Sequence, residues 1–169
     1  KKKLSDSSWN RILRCCSRIF NKALQWQYIR SNPFTEIKQL KARTQPWHRM
    51  ESHEFTALIN KVSDIRKKAF YTVLYGCGLR TGEAINLLWD GINIDFEKNK
   101  ITLINRPGTD TVPPFGIKDY EARSIPMPNW VVNLLLQLQE QAVPGCPFVF
   151  LDEERWARVK AKWQMFQQQ

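Results

Sequence analysis

The chain has 169 residues, 43% of them hydrophobic and 25% charged, a balance that suits one good core with room for a second small one. No run of eighteen apolar residues is present, and the opening Lys1-Lys2-Lys3 leads into Ser5-Asp6-Ser7-Ser8, so neither a transmembrane segment nor a secretory signal is expected. Of the 26 Lys/Arg, twelve lie in residues 1–50 against two of the 16 acids; the fourteen bases and fourteen acids of residues 51–169 cancel, so the whole +10 excess sits in the first third. That break implies two modules, a basic one that needs a polyanion and a balanced one, with nucleic acid as the leading partner.

In chain order, the first element is a long amphipathic helix. Ser7 or Ser8 can cap it, and Trp9, Ile12, Leu13, Cys16, Ile19, Phe20, Ala23 and Leu24 keep helical spacing to about Arg30. Another face carries Arg11, Arg14, Arg18 and Lys22 at steps of three and four, a basic stripe without balancing acids, which points to phosphates rather than to a solvated face. Asn32-Pro33 is expected to stop the helix. The basic, poorly periodic stretch from Phe34 to Met50, with Pro46, reads as an interdomain linker.

Two helices follow, Glu51 to Val62 and Asp64 to Tyr75, each with an apolar face and acids at its start. Gly76-Cys77-Gly78 is expected to break the second, and Thr81 to cap a short helix holding Glu83, Ile85, Leu87 and Leu88. The period then changes: Ile92, Ile94 and Phe96 alternate, Glu97 to Lys100 turn, and Ile101 to Ile104 form a second strand, with a third at Ala122 to Pro126. Helices over Asn129 to Gln141 and Asp152 to Phe166 complete a mixed α+β, mainly helical chain with a small three-stranded antiparallel sheet. Cys15, Cys16, Cys77 and Cys146 have no Cys-x-x-Cys spacing and read as reduced core residues, with no disulfide or metal role.

The chemistry concentrates in Tyr75-Gly-Cys-Gly-Leu-Arg80-Thr-Gly-Glu83-Ala. An arginine between glycines at a helix entrance offers a two-pronged grip on phosphate oxygens, although a plain turn with a surface arginine fits the same residues. No Gly-Lys-Ser/Thr follows, so this is not a nucleotide-binding loop.

The string Gly-Leu-Arg-Thr-Gly-Glu-Ala, with the following Leu-x-Trp and Ile-x-Ile-Asp, resembles the first catalytic-arginine box of the tyrosine recombinases (phage-integrase family). The other features keep the family's order: a helix ending in Asn32-Pro33-Phe34, a linker, a helix pair, the arginine box, a three-stranded sheet, and Arg123-Ser-Ile-Pro126 on its last strand. The resemblance implies the end of an α-helical core-binding domain over 1–40, a linker over 41–50, and the N-terminal part of a catalytic domain over 51–169. Arg80 is then similar to the first catalytic arginine. Glu83 matches the acid that orients it, or is a helix-dipole acid. Lys118, the only lysine in its loop, matches the lysine that gives a proton to the leaving 5′ oxygen, although the usual Thr-Lys-Thr surroundings are absent.

The family's His-x-x-Arg box and C-terminal tyrosine nucleophile have no counterpart: both histidines, His48 and His53, precede Arg80, and the last tyrosine is Tyr120. Tyr28, Tyr71, Tyr75 and Tyr120 read as structural, and Trp156 and Trp163 as core. The expectation is therefore a DNA-binding fragment of a site-specific recombinase, stopping before the nucleophile and inactive alone. It would be cytoplasmic, need no metal or cofactor, and act on double-stranded DNA with further protomers, since the family works as a tetramer. The alternatives are a non-catalytic DNA-binding or regulatory remnant, and a basic helix that targets a membrane surface or an acidic protein.

Overall fold

A computed structural model describes residues 4–42, 46–118 and 121–168; Lys1, Lys2, Lys3, Arg43 and Tyr120 lie outside them. The chain divides into two compact units, residues 1–49 and 50–169.

In the first unit, α1 spans Asp6–Gln25, capped by Ser5, whose hydroxyl accepts the Ser8 N–H. The helix ends five residues short of Arg30, because Gln27 takes a left-handed conformation (φ 63°). Tyr28 N–H then reaches Ala23 O and Gln27 N–H reaches Leu24 O, the bond pair that closes a helix with a left-handed residue. The chain then runs back along α1 through Leu40, so the first part of the stretch from Phe34 to Met50, read as linker from its lack of periodicity, packs on the helix. Asn32 Nδ2 donates to Ser17 O (3.1 Å) and Asn21 Oδ1 (2.6 Å), and Asn10 exchanges two 2.8 Å bonds with the Leu40 backbone. Phe20 and Phe34 pack with centroids 4.9 Å apart. Asn10 and Leu13 are buried, whereas Trp9, Ile12, Ile19 and Leu24 remain exposed, so half of the expected apolar face is uncovered within the unit.

The second unit holds α2 (Ser52–Lys61), α3 (Ile65–Cys77), α4 (Thr81–Ile85), β1 (Ile94–Asp95), β2 (Lys100–Leu103), β3 (Arg123–Pro126), α5 (Asn129–Gln139) and α6 (Glu153–Gln167). The sheet is antiparallel in the order β1-β2-β3, with Ile94 opposite Ile101 and Ile101 opposite Ile125. Its first strand is shorter than the alternation suggested: Ile92 is exposed in a turn, and Asn93 is buried, donating its side-chain amide to Thr102 O and accepting Leu88 N–H.

The core forms where α3 (Ala69, Val73, Cys77) meets α5 (Val131, Leu135, Leu138) and the inner face of the sheet (Ile94, Ile101, Leu103). Gly76 does not break α3 but lets it approach α5, since a Cβ there would lie 2.7 Å from Trp130 and 2.8 Å from Val131. Gly78, left-handed at φ 63°, ends the helix instead. A second cluster joins Leu88, Val112, Cys146, Phe148 and Trp156, so Trp156 is core as expected. Trp163 is half-buried and donates its indole N–H to Thr109 O (2.7 Å), tying α6 to the long β2–β3 connection. Of the cysteines, Cys77 and Cys146 are buried; Cys15 is exposed on α1, contrary to its reading as core.

Candidate functional site

The arginine box ends one helix and starts the next. After Gly78, Leu79 is buried and Arg80, not Thr81, takes the cap position of α4 in extended conformation (φ −68°, ψ 147°). Glu83 reaches back to it: the Arg80 backbone N–H donates to Glu83 Oε2 (2.9 Å), and Glu83 N–H donates to Arg80 O (2.9 Å). The same carboxylate holds the side chain, with Arg80 Nη1 on Oε1 at 3.2 Å. With five residues, α4 is too short for its N-terminus to supply the anion attraction expected from the sequence, which leaves the guanidinium as the relevant donor.

A second arginine completes the arrangement. Arg123, first residue of β3, places Nη2 2.7 Å from Glu83 Oε2. Glu83 is only 4% exposed, while the side chains of Arg80 and Arg123 are 51% and 36% exposed. Burial by itself raises the Glu83 pKa, but the side-chain bond from Arg123 and the backbone and side-chain bonds from Arg80 outweigh it and hold the carboxyl below its usual range. One buried carboxylate thus orients two half-exposed guanidiniums from different elements. Such a group is complementary to an oxyanion such as a phosphodiester.

Lys118 is exposed in the turn at the end of the β2–β3 connection. Ile117 anchors it: the Ile117 side chain is 2% exposed, and its N–H donates to Asn105 Oδ1 (2.8 Å). Among the described residues, no hydrogen bond or ion pair joins Lys118 to Arg80, Glu83 or Arg123. Arg11, Arg14, Arg18 and Lys22 are all exposed on α1, and among the described residues none is in an ion pair. Arg14 Nε donates to Asn10 O (3.4 Å) and Lys22 Nζ to Gln25 Oε1 (2.8 Å).

A family model described as the phage integrase family matches residues 48–165, more than half of the chain. The chain belongs to the phage integrase family. Among curated relatives, it is 33% identical to the ICEBs1 integrase of Bacillus subtilis over 93 residues, 53% of this chain and 25% of that protein. A XerC-like tyrosine recombinase of Caldanaerobacter subterraneus subsp. tengcongensis is 27% identical over 135 residues, 69% of this chain and 34% of that protein. The chain therefore spans a quarter to a third of these relatives. Among solved structures, the Tn1549 transposon integrase in complex with a circular intermediate DNA superposes with a TM-score of 0.68, at 22% identity, over 96% of this chain and 60% of that one. The same integrase in complex with transposon right end DNA gives the same values. The mixed, mainly helical fold with a small antiparallel sheet is thus that of a tyrosine-recombinase family member.

Within this integrase-family chain, sequence reasoning missed Arg123 as a site residue, since its partner Glu83 lies forty residues away. The only local signal was a basic residue at the start of a strand whose next inward residue, Ile125, packs on the core. Tyr75 stacks on Phe55 (centroids 3.9 Å, 8°), a structural role. Tyr28 is 78% exposed beyond the end of α1, not within a helix. Among the described residues, no cluster of His, Cys, Asp and Glu has metal-binding geometry, and no helix is long and apolar enough to cross a membrane.

Proposed function

We propose that this chain is the part of a site-specific tyrosine recombinase that binds duplex DNA and grips the scissile phosphate. The observation that carries the reading is the buried Glu83 carboxylate holding the guanidiniums of Arg80 and Arg123 half exposed. In this reading Arg80 donates to non-bridging oxygens and stabilises the charge that builds up as the phosphorus becomes pentacoordinate. Glu83 fixes the direction of Arg80 and Arg123 adds positive potential. Lys118 gives a proton to the leaving 5′ oxygen. The basic stripe of Arg11, Arg14, Arg18 and Lys22 holds the DNA backbone without reading sequence.

Residues 1–40 then belong to a helical core-binding domain, 41–50 to a linker and 51–169 to the catalytic domain. The partners are double-stranded DNA and further protomers, in the cytoplasm or nucleoid of a bacterial host. Fluorescence anisotropy with duplex DNA over a salt series tests the reading. Wild type should lose affinity steeply as salt rises, and Arg80→Ala should bind more weakly with a salt slope shallower by about 0.9, the share of one phosphate contact. An affinity independent of salt, or an Arg80→Ala chain that binds like wild type, overturns it.

A further inference from the structure

The long β2–β3 connection contains one arginine, Arg106, whose partial burial is unexplained by the phosphate site. Arg106 and Phe115 exchange backbone bonds, Arg106 N–H to Phe115 O (2.8 Å) and Phe115 N–H to Arg106 O (3.0 Å), closing the inner loop as an antiparallel bridge. From that bridge the Arg106 guanidinium extends between two rings, its carbon 5.9 Å from the centroid of Phe115 on the loop and 5.9 Å from that of Phe148 in the second hydrophobic cluster. Nη1 donates to Asn86 O (3.2 Å), the carbonyl of the residue that ends α4. Nε and Nη2 are buried and have no partner among the described protein atoms.

A half-buried guanidinium with two buried, unpartnered donors opposes folding stability. Burial depresses the Arg106 pKa, and the nearby Asp90 carboxylate offsets this in part. An apolar side chain of similar reach would fill the gap between the rings without that penalty. What only the guanidinium supplies is the bond to Asn86 O, which joins the loop to the far end of the one-turn helix that Arg80 begins. The same connection carries Lys118, three residues beyond Phe115 and directly after the anchored Ile117.

We propose that Arg106 is a positioning residue that latches the β2–β3 connection, and with it Lys118, to α4, so that Lys118 and Arg80 keep a fixed relation at one phosphate. The proposal rests on the reading of Arg80 and Lys118 as phosphate-site residues. Cation–π contact with both rings sets the guanidinium plane, and the Asn86 bond sets its depth.

The test uses Arg106→Met, Lys118→Ala and the double variant in the full chain. Three measurements are made: thermal midpoint, residue-resolved amide exchange, and affinity for a duplex oligonucleotide. Arg106→Met should melt at or above the wild-type temperature, while the Phe115 and Ile117 amides exchange about tenfold faster or more, the factor expected for loss of one charged hydrogen bond. Core amides such as Val73 should be unchanged. Its DNA affinity should fall by the same factor as that of Lys118→Ala, and the double variant should fall no further.

Unchanged exchange at Phe115 and Ile117 overturns the latch. A lower midpoint with faster core exchange makes Arg106 an ordinary part of the fold and overturns the proposal too. Effects that multiply in the double variant show Arg106 acting independently of Lys118, which equally overturns it. If the loop amides speed up while Lys118→Ala binds like wild type, the latch stands and the phosphate role of Lys118 is what fails.

Discussion

Replacing Glu83 with glutamine removes the charge that orients both arginines while keeping the side-chain shape. Glu83 accepts three bonds from the two arginines, at 2.7, 2.9 and 3.2 Å, and is 4% exposed. Breaking a fully buried ion pair costs about 3–5 kcal/mol. Here the guanidiniums are 51% and 36% exposed, so water can take over part of their solvation and the cost falls toward about 2 kcal/mol. For a unit of this size that corresponds to a drop in thermal midpoint of roughly 6–8 °C.

The pH dependence has a definite sign. The folded-state pKa of Glu83 is lowered, so its stabilisation is present above the unfolded carboxyl value of 4.5 and is lost as pH falls through the lower folded value. Thermal melts of wild type and Glu83→Gln, followed by circular dichroism, should differ most at pH 7 and converge in acid below pH 4.5. Equal midpoints at pH 7, or a gap that persists unchanged into acid, would refute the reasoning that this carboxylate is ionised and clamped between two arginines.

Other perturbations follow from the same geometry. Asp64→Ala removes the cap of α3, whose carboxylate accepts the Arg66 and Lys67 N–H groups at 2.8 and 3.1 Å, and should cost about 1 kcal/mol, read from denaturant midpoints. Its pKa is lowered, chiefly by the Lys67 backbone bond, so this contribution too should vanish in acid. Gly76→Ala forces a methyl group against Trp130 and Val131 and should destabilise by about 1–3 kcal/mol in the same assay. Reversing Arg11, Arg14, Arg18 and Lys22 to Glu should weaken duplex binding far more than reversing the α6 bases Arg155 and Arg158, which already face Asp152 and Glu154. These 169 residues, incubated with a nicked suicide substrate, should give no denaturant-resistant protein–DNA band; such a band would make one of the four tyrosines a nucleophile.

Much of the fold was readable because its determinants are local. The 3.6-residue spacing located α2, α3, α5 and α6 to within two residues at either end, and the switch to alternation located the sheet. The arginine box was readable in part for the same reason, since its glycines and Glu83 lie within six residues, but the sequence put the cap at Thr81 where the structure has Arg80. What escaped was set by tertiary contacts. A left-handed Gln27 carries no composition signal, so the apolar spacing overextends α1 toward Pro33. Asn10 and Asn32 pin the return of the chain along α1 through bonds to Leu40 and Ser17, partners too far along the chain for local spacing to reveal, so residues 34–40 of the stretch read as linker are packed structure. Gly76 looked like a breaker because its reason, the closeness of Trp130, lies more than fifty residues away. The pairing of Glu83 with Arg123 is equally non-local, and it distinguishes a surface arginine in a turn from an oriented pair.

The central claim is that this chain holds a DNA phosphate with Arg80 and Arg123 set by Glu83. The most direct measurement is the NMR response of the individual arginine Nε–H signals to titration with a duplex oligonucleotide at moderate salt. The account predicts that Arg80 and Arg123 shift along with Arg11, Arg14 and Arg18, while the ion-paired Arg155 and Arg158 stay in place. Shifts confined to the three arginines of α1, with Arg80 and Arg123 unmoved, would reduce the chain to a basic binding helix beside a structural salt bridge and contradict the account.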